Sequence, residues 1–162
     1  MNENLIALKL MLDTLGESAD ISSIDDRKRV QKAVYLGQQA GVDLGYSFGW
    51  YLMGPYSSSL TRDYFQLDEE REVREREFKG KRLRSDAEAK LKRLVPMLTT
   101  PHQFKYGKED WLELLASYHY LRTASGQTEE KAAGVMKRQK GHLAPYVDLA
   151  KDTLTKYKLL TT

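Results

Sequence analysis

The chain contains no cysteine. That absence excludes disulfides, thiolate zinc sites, iron–sulfur clusters and cysteine nucleophiles. Histidine occurs only at His102, His119 and His142, which share no ligand spacing. No long hydrophobic run is present either. The opening MNENLIALKLMLDTLGE has no basic flank before its apolar part and is interrupted by Lys9 and Asp13, so it reads as neither a signal peptide nor a membrane span. A phosphate-cradling loop, a dinucleotide glycine fingerprint, a Gly-x-Ser-x-Gly elbow and a His-Glu-x-x-His pair are all missing. The expectation is a cytoplasmic protein that is not an enzyme and holds no metal or cofactor.

What is present suffices for a core. Forty-one per cent of the 162 residues are hydrophobic and no repeat or low-complexity linker interrupts them, so one domain spanning 1–162 is expected. The net charge of +3 is too small to imply nucleic acid by itself, and it is unevenly spread. Residues 1–67 carry 6 basic and 8 acidic side chains, residues 68–106 carry 11 and 8, and residues 107–162 carry 9 and 7. The run 68–84 has 13 charged residues in 17, a pattern typical of a solvated face. Its basic end, Lys79, Lys81, Arg82 and Arg84 around Gly80, is the one cationic loop within it and a candidate phosphate contact.

Periodicity places the elements. Leu5, Leu8, Leu12 and Leu15 predict a helix over 3–15 that stops at Gly16. A second helix starts near Ser23 or Asp25 and stops at Gly41; its wheel buries Val30, Ala33, Val34 and Gly37 and turns Lys28, Lys32 and Gln39 outward. Residues 46–53 alternate and read as a short strand, with Gly49 marking a close backbone approach. The chain then turns at Gly54-Pro55-Tyr56-Ser57, and Ser57 or Ser58 caps a short helix through Leu67. Two readings of the charged run stay open: strands 72–78 and 81–84 turning at Lys79-Gly80, or a helix broken at Gly80. Ser85 and Glu88 form a capping box for a helix that turns Leu91, Leu94 and Val95 inward and that Pro96 kinks or ends. Residues 108–124 are apolar nearly all round and belong in the middle of the domain. Thr128 caps a helix through Lys140, and Pro145 opens a last helix to about residue 160. The sum is a mostly helical α+β domain with a small β element.

Few residues invite chemistry. His119 reads as a satisfied core histidine. Glu109, Asp110 and Glu113 suit the positive end of their helix, and Ser57, Ser58 and Ser59 are better explained as caps than as nucleophiles. Five aromatic residues, Tyr46, Phe48, Trp50, Tyr51 and Tyr56, lie within eleven positions. The alternating members pack a small sheet on the helices. Tyr51 and Tyr56 fall outside that alternation and are the candidates for exposure.

The stretch Val30-Gln31-Lys32-Ala33-Val34-Tyr35-Leu36, followed by Phe48-Gly49-Trp50-Tyr51 and then Gly54-Pro55-Tyr56-Ser57 and Leu60, resembles the core of the YwgA-like bacterial proteins. It is similar, more loosely, to the SocA-like or Panacea antitoxin domain. The likeness covers residues 27 to 67, while residues 85–162 match only in helical layout. Val30 departs from the leucine of the pattern, and Gly-Pro-Tyr-Ser follows the YwgA-like form. The resemblance implies a mainly helical domain with winged-helix-like features that acts by binding a protein partner, such as a toxin or defence-system component. The motif residues Gln31, Lys32, Tyr35, Trp50, Tyr51, Gly54, Pro55, Tyr56 and Ser57 are then the candidate partner-binding set. The alternative is a winged-helix DNA-binding regulator in which Lys28, Arg29 and Lys32 on one helix, with Lys79, Lys81, Arg82 and Arg84 as a wing, neutralise phosphates.

Overall fold

The helix that is apolar on every side lies at the centre of the molecule. The computed structural model describes residues 3–161. Its elements are α1 (Glu3–Leu15), α2 (Ile24–Gln39), β1 (Gly49–Tyr51), β2 (Gly54–Tyr56), α3 (Ser58–Phe78), α4 (Ser85–Leu98), α5 (Lys108–Arg122), α6 (Glu129–Gln139) and α7 (Val147–Lys156), with a 3-10 turn at Ala144–Tyr146 before α7. Every residue of α5 from Trp111 to His119 is buried. Around it pack α2, α4, α6, α7 and β2, while α1 fills the angle between α2, α3 and α4. The protein is therefore mostly helical α+β, as the periodicity predicts. Among the described residues no helix is long and apolar enough to cross a membrane.

The helix boundaries follow from capping chemistry. Ser23 opens α2 with a reciprocal capping box: its side chain accepts from the Asp26 amide and the Asp26 carboxylate accepts from the Ser23 amide. Thr128 caps α6 in the expected way. The capping box expected of Ser85 and Glu88 does not form. Arg84 holds the cap position without a side-chain bond, and Glu88 instead meets Arg82 and Lys92, each at 2.8 Å. Pro96 does not end α4, which continues to Leu98.

The largest departures lie between residues 46 and 84. The expected strand over 46–53 shrinks to Gly49–Tyr51, because the segment before it is tied to α2 instead. The Gln38 side chain accepts from the Leu44 and Tyr46 amides and donates to the Tyr46 carbonyl, taking the place of a neighbouring strand. The reversal comes at Leu52-Met53, one step before the expected Gly54-Pro55. Gly54-Pro55-Tyr56 is itself the second strand, paired antiparallel in the register Gly49 to Tyr56, Trp50 to Pro55 and Tyr51 to Gly54. Leu52 and Met53 keep negative φ, so Gly54 completes the reversal at φ +91°, the left-handed residue that follows a tight turn in a glycine bulge. Leu52 is 89% exposed at the tip.

The helix expected to stop at Leu67 runs on to Phe78. The charged run is helical because its charges recur at three- and four-residue spacing: Arg71 meets Asp68, and Arg74 meets both Glu70 and Glu77. The break falls at Gly80 (φ +78°), so residues 81–84 are a link into α4 and form no strand. The β element of this fold is the 49–56 hairpin.

His119 is the core histidine that the sequence suggests. Its Nε2 lies 3.0 Å from the Leu159 carbonyl, which can only accept, so Nε2 carries the proton and Nδ1 accepts from the Tyr35 hydroxyl at 2.8 Å. Burial pushes its pKa down to about 4. An unfolded histidine takes up a proton near pH 6.5, where the folded one does not, so stability falls as pH drops below 6.5. Urea unfolding between pH 6.5 and 5 should show wild type losing about 1–2 kcal/mol that a His119→Gln variant does not lose.

Candidate functional site

Four residues of α2, Lys28 and the motif residues Gln31, Lys32 and Tyr35, share one face by their three- and four-residue spacing. That face is turned inward, toward the hairpin and α5. Lys32, expected to point to solvent, is 1% exposed, and its Nζ donates to the Pro55 carbonyl at 2.8 Å. The wheel misplaces it because Pro55 arrives from the hairpin to supply an acceptor inside. Gln31 makes a two-point clasp on the hairpin exit: its Nε2 donates to the Ser57 carbonyl (3.0 Å) and its Oε1 accepts from the Ser57 amide (2.9 Å). Ser57 in turn caps α3 by accepting from the Leu60 amide.

From below, α5 contributes Glu113 and Ser117, one turn apart. Glu113 is buried and grips two ammonium groups, Lys28 through Oε1 at 2.6 Å and Lys140 through Oε2 at 2.7 Å. Lys140 follows α6, donates to the Leu52 carbonyl at 2.7 Å and lies 5.5 Å from the centre of the Trp50 ring. The Trp50 Nε1 donates to Gln139. The hairpin is thus pinned by two buried lysines, one on the carbonyl at its tip and one on the carbonyl of β2.

These charges do not balance. Among the described residues Lys32 has no carboxylate within ion-pair distance, and its pKa is pushed down to about 7, chiefly by burial. Glu113 pulls it up, while Lys140 and Lys28 push it down. Lys28, in direct contact with Glu113 and near Asp110, is raised despite its own desolvation. The Ser117 hydroxyl is buried without a hydrogen-bond partner among the described residues. It stands where a side chain on Gly54 would go: a Cβ there would lie 2.3 Å from Ser117 Oγ. Glycine at 54 is required twice, by its φ and by this approach.

The outer face of the hairpin is apolar. Tyr51, Leu52 and Met53 are 54%, 89% and 45% exposed. Tyr56, half-buried, meets Tyr51 edge-on at 5.1 Å and holds its hydroxyl 2.6 Å from that of Thr61. Beside them a groove of about 280 Å³ runs between α2, the hairpin and α3, with Ile24, Met53, Tyr56 and Phe65 on its walls. Its only charged lining residues are Arg27, Lys28 and Lys32.

The structure therefore gathers Gln31, Lys32, Gly54, Pro55 and Ser57 into one buried clasp, with Trp50 half-buried at its side, and leaves Tyr51, with part of Tyr56, outside. Tyr35 lies deeper, on His119 and edge-on to Phe48. Of the cations expected to meet phosphate, Lys28 is held by Glu113, Arg29 by Asp26 and Glu17, Arg82 by Glu88 and Arg84 by Asp86. Lys79 and Lys81 are exposed at the end of α3. Glu113, Ser117 and Lys140 were not foreseen as members of this site. The signal for the first two was available: a polar side chain on a helix apolar all round must find a buried partner. No group of three or more potential metal-ligating side chains occurs among the described residues. Comparison with protein-family models, with curated proteins and with solved structures returns no match.

Two outcomes follow from this geometry. Gly54→Ala should cost about 3 kcal/mol in urea unfolding, Ser117→Ala should be neutral or slightly stabilising, and the double variant should recover at least about 1 kcal/mol of the loss. Additive single and double variants would show that the 54–117 approach is not the cause. For Lys32, an unfolded lysine keeps its proton to about pH 10.5 whereas the folded one releases it near 7. The unfolded state then binds more protons over that interval, so stability rises with pH. Wild type should gain about 1 kcal/mol per pH unit between pH 7 and 9.5, and Lys32→Met should flatten that slope.

Proposed function

We propose that the protein is a non-enzymatic binding module, an antitoxin-like or regulatory adaptor, that docks a segment of another protein on the hairpin tip and the groove beside it. The observation that carries this reading is the contiguous exposed set Tyr51, Leu52 and Met53, held on a buried clasp and continued by Ile24 and Phe65. Large apolar and aromatic side chains on a rigid support are characteristic of protein interfaces, because little conformational freedom is lost on docking. With both lining lysines committed inward, the segment that fits this surface is chiefly apolar. The looser resemblance of residues 27 to 67 to the Panacea domain is in keeping with the same class of partner.

DNA binding through Lys28, Arg29, Lys32 and the 79–84 link is the weaker reading. Carboxylates already hold the largely buried Lys28 and Arg29, and Lys32 faces inward, which leaves only the exposed 79–84 link to meet a phosphate.

The test is retention of partners by the tagged full chain expressed in its native host, comparing wild type with Leu52→Asp and Phe65→Asp. Both changes are at exposed positions and should shift stability by no more than about 0.5 kcal/mol. A protein retained by wild type and lost from both variants, whose melting temperatures are unchanged, is the expected result. A partner retained equally by all three would remove the hairpin surface from consideration.

A further inference from the structure

At the other end of α2 from the groove lies a cleft of about 580 Å³ formed by the end of α2, the middle of α4 and the segment after α7. Its charged lining residues are Lys90, Arg93, Lys156 and Lys158, with no carboxylate among the lining. None of the four has an ion-pair partner among the described residues, whereas Lys92, between the first two on α4, is held by Glu88 at 2.8 Å. Lys90 and Arg93 are three apart in mid-helix and so share a face. Helix C-termini explain part of the arrangement: Lys156 closes α7, where a cation suits the dipole. The ends of α2 and α7 together contribute roughly one negative charge, against four positive side chains. The balance in the cleft is strongly positive.

Lys158 adds an independent observation. It is the only described residue other than glycine held at positive φ, +64°. It follows the Tyr157 cap, the place where helices usually put glycine. A lysine there is strained, and its side chain lines the cleft. Tyr157, half-buried beside it, lines the cleft with the Lys156 Nζ 5.7 Å from its ring centre, which leaves the opposite face for a base to stack on.

We propose that this cleft binds nucleotide phosphates, with the four cations neutralising at least two phosphate groups and Tyr157 meeting the base. The site goes beyond the protein-docking reading and shares no lining residue with that surface. Two sources carry this chemistry, a free nucleoside triphosphate and a nucleic-acid strand.

Fluorescence anisotropy at low salt with the full chain tests it, using a fluorescent adenosine triphosphate analogue and a labelled short single-stranded DNA as probes. Lys90→Glu/Arg93→Glu should weaken binding about tenfold or more. Lys158→Gly should weaken it about threefold while raising the melting temperature by about 2 °C, since glycine relieves the strained backbone. Lys131→Glu/Lys137→Glu, a charge reversal at exposed positions of α6 outside the cleft, should leave binding intact. Binding of the triphosphate probe that inorganic triphosphate competes away identifies the free nucleotide. Binding of the strand alone, falling steeply with salt, identifies nucleic acid. Either result supports the site. The proposal is overturned by no binding of either probe, by equal loss in the control pair, by unchanged affinity in Lys158→Gly, or by polyglutamate competing as well as triphosphate.

Discussion

Glu113 holds together parts of the chain that are distant in sequence. Its two oxygens take Lys28 from α2 and Lys140 from beyond α6, and Lys140 passes the connection on to the hairpin tip at Leu52. Two antiparallel strands of three residues each do not hold their shape in water unaided. Here the hairpin keeps its register because its carbonyls are gripped by ammonium groups from below and its exit is clasped by Gln31. The arrangement does not serve stability most directly. Burying each charge costs several kcal/mol, and well-packed apolar residues of similar volume would do as well or better. What the ions add is position: only one placement of the tip satisfies Lys32 and Lys140 together.

That positional function explains why the tip is so apolar. A mobile loop carrying Tyr51, Leu52 and Met53 would collapse onto the nearest apolar surface. Held by its backbone carbonyls, it keeps those side chains in water beside the groove, with Ile24 and Phe65 across from them. The interior of the site is polar and the exterior greasy, the reverse of an ordinary surface hairpin. The same inversion forces glycine at 54, since the strand must approach α5 closely enough for Lys32 and Ser117 to lie against it.

The sequence made the helices legible and the hairpin much less so. α1, α2, α5 and α6 follow from stripes and caps, because a helix face is decided by neighbours three and four residues away. The misreadings arose where a distant group decided the outcome. Tyr46 alternates with Phe48 and Trp50 like a strand residue, yet its backbone is satisfied by the Gln38 side chain. Lys32 sits where a wheel turns it outward, and only the folded position of Pro55 gives it a reason to be inside. The charged run left helix and strand open, and the i,i+3 and i,i+4 pairs of Arg71 and Arg74 decide it as helix through Phe78. Polar residues in the buried helix were the one clue to the site that could have been followed, because Glu113, Ser117 and His119 each require an explanation in an apolar setting.

The distribution of charge now takes a different form from the segment totals. In the motif-bearing third, Lys28, Arg29 and Lys32 are spent internally, on carboxylates or a carbonyl, and contribute little to any outer field. The cations free of carboxylates that converge on a cleft come from α4 and the end of the chain, segments whose sequence showed only an ordinary mixture of signs. A net charge of +3 therefore says little about either surface. What matters is which cations are already paired, and α2 separates the two cases: about 10 Å of helix, from Lys32 to Gln39, lies between a groove whose lysines are committed inward and a cleft whose lysines and arginine are not. A ligand that responds to unpaired positive charge would find it at the second end, and a partner that responds to exposed apolar area would find it at the first.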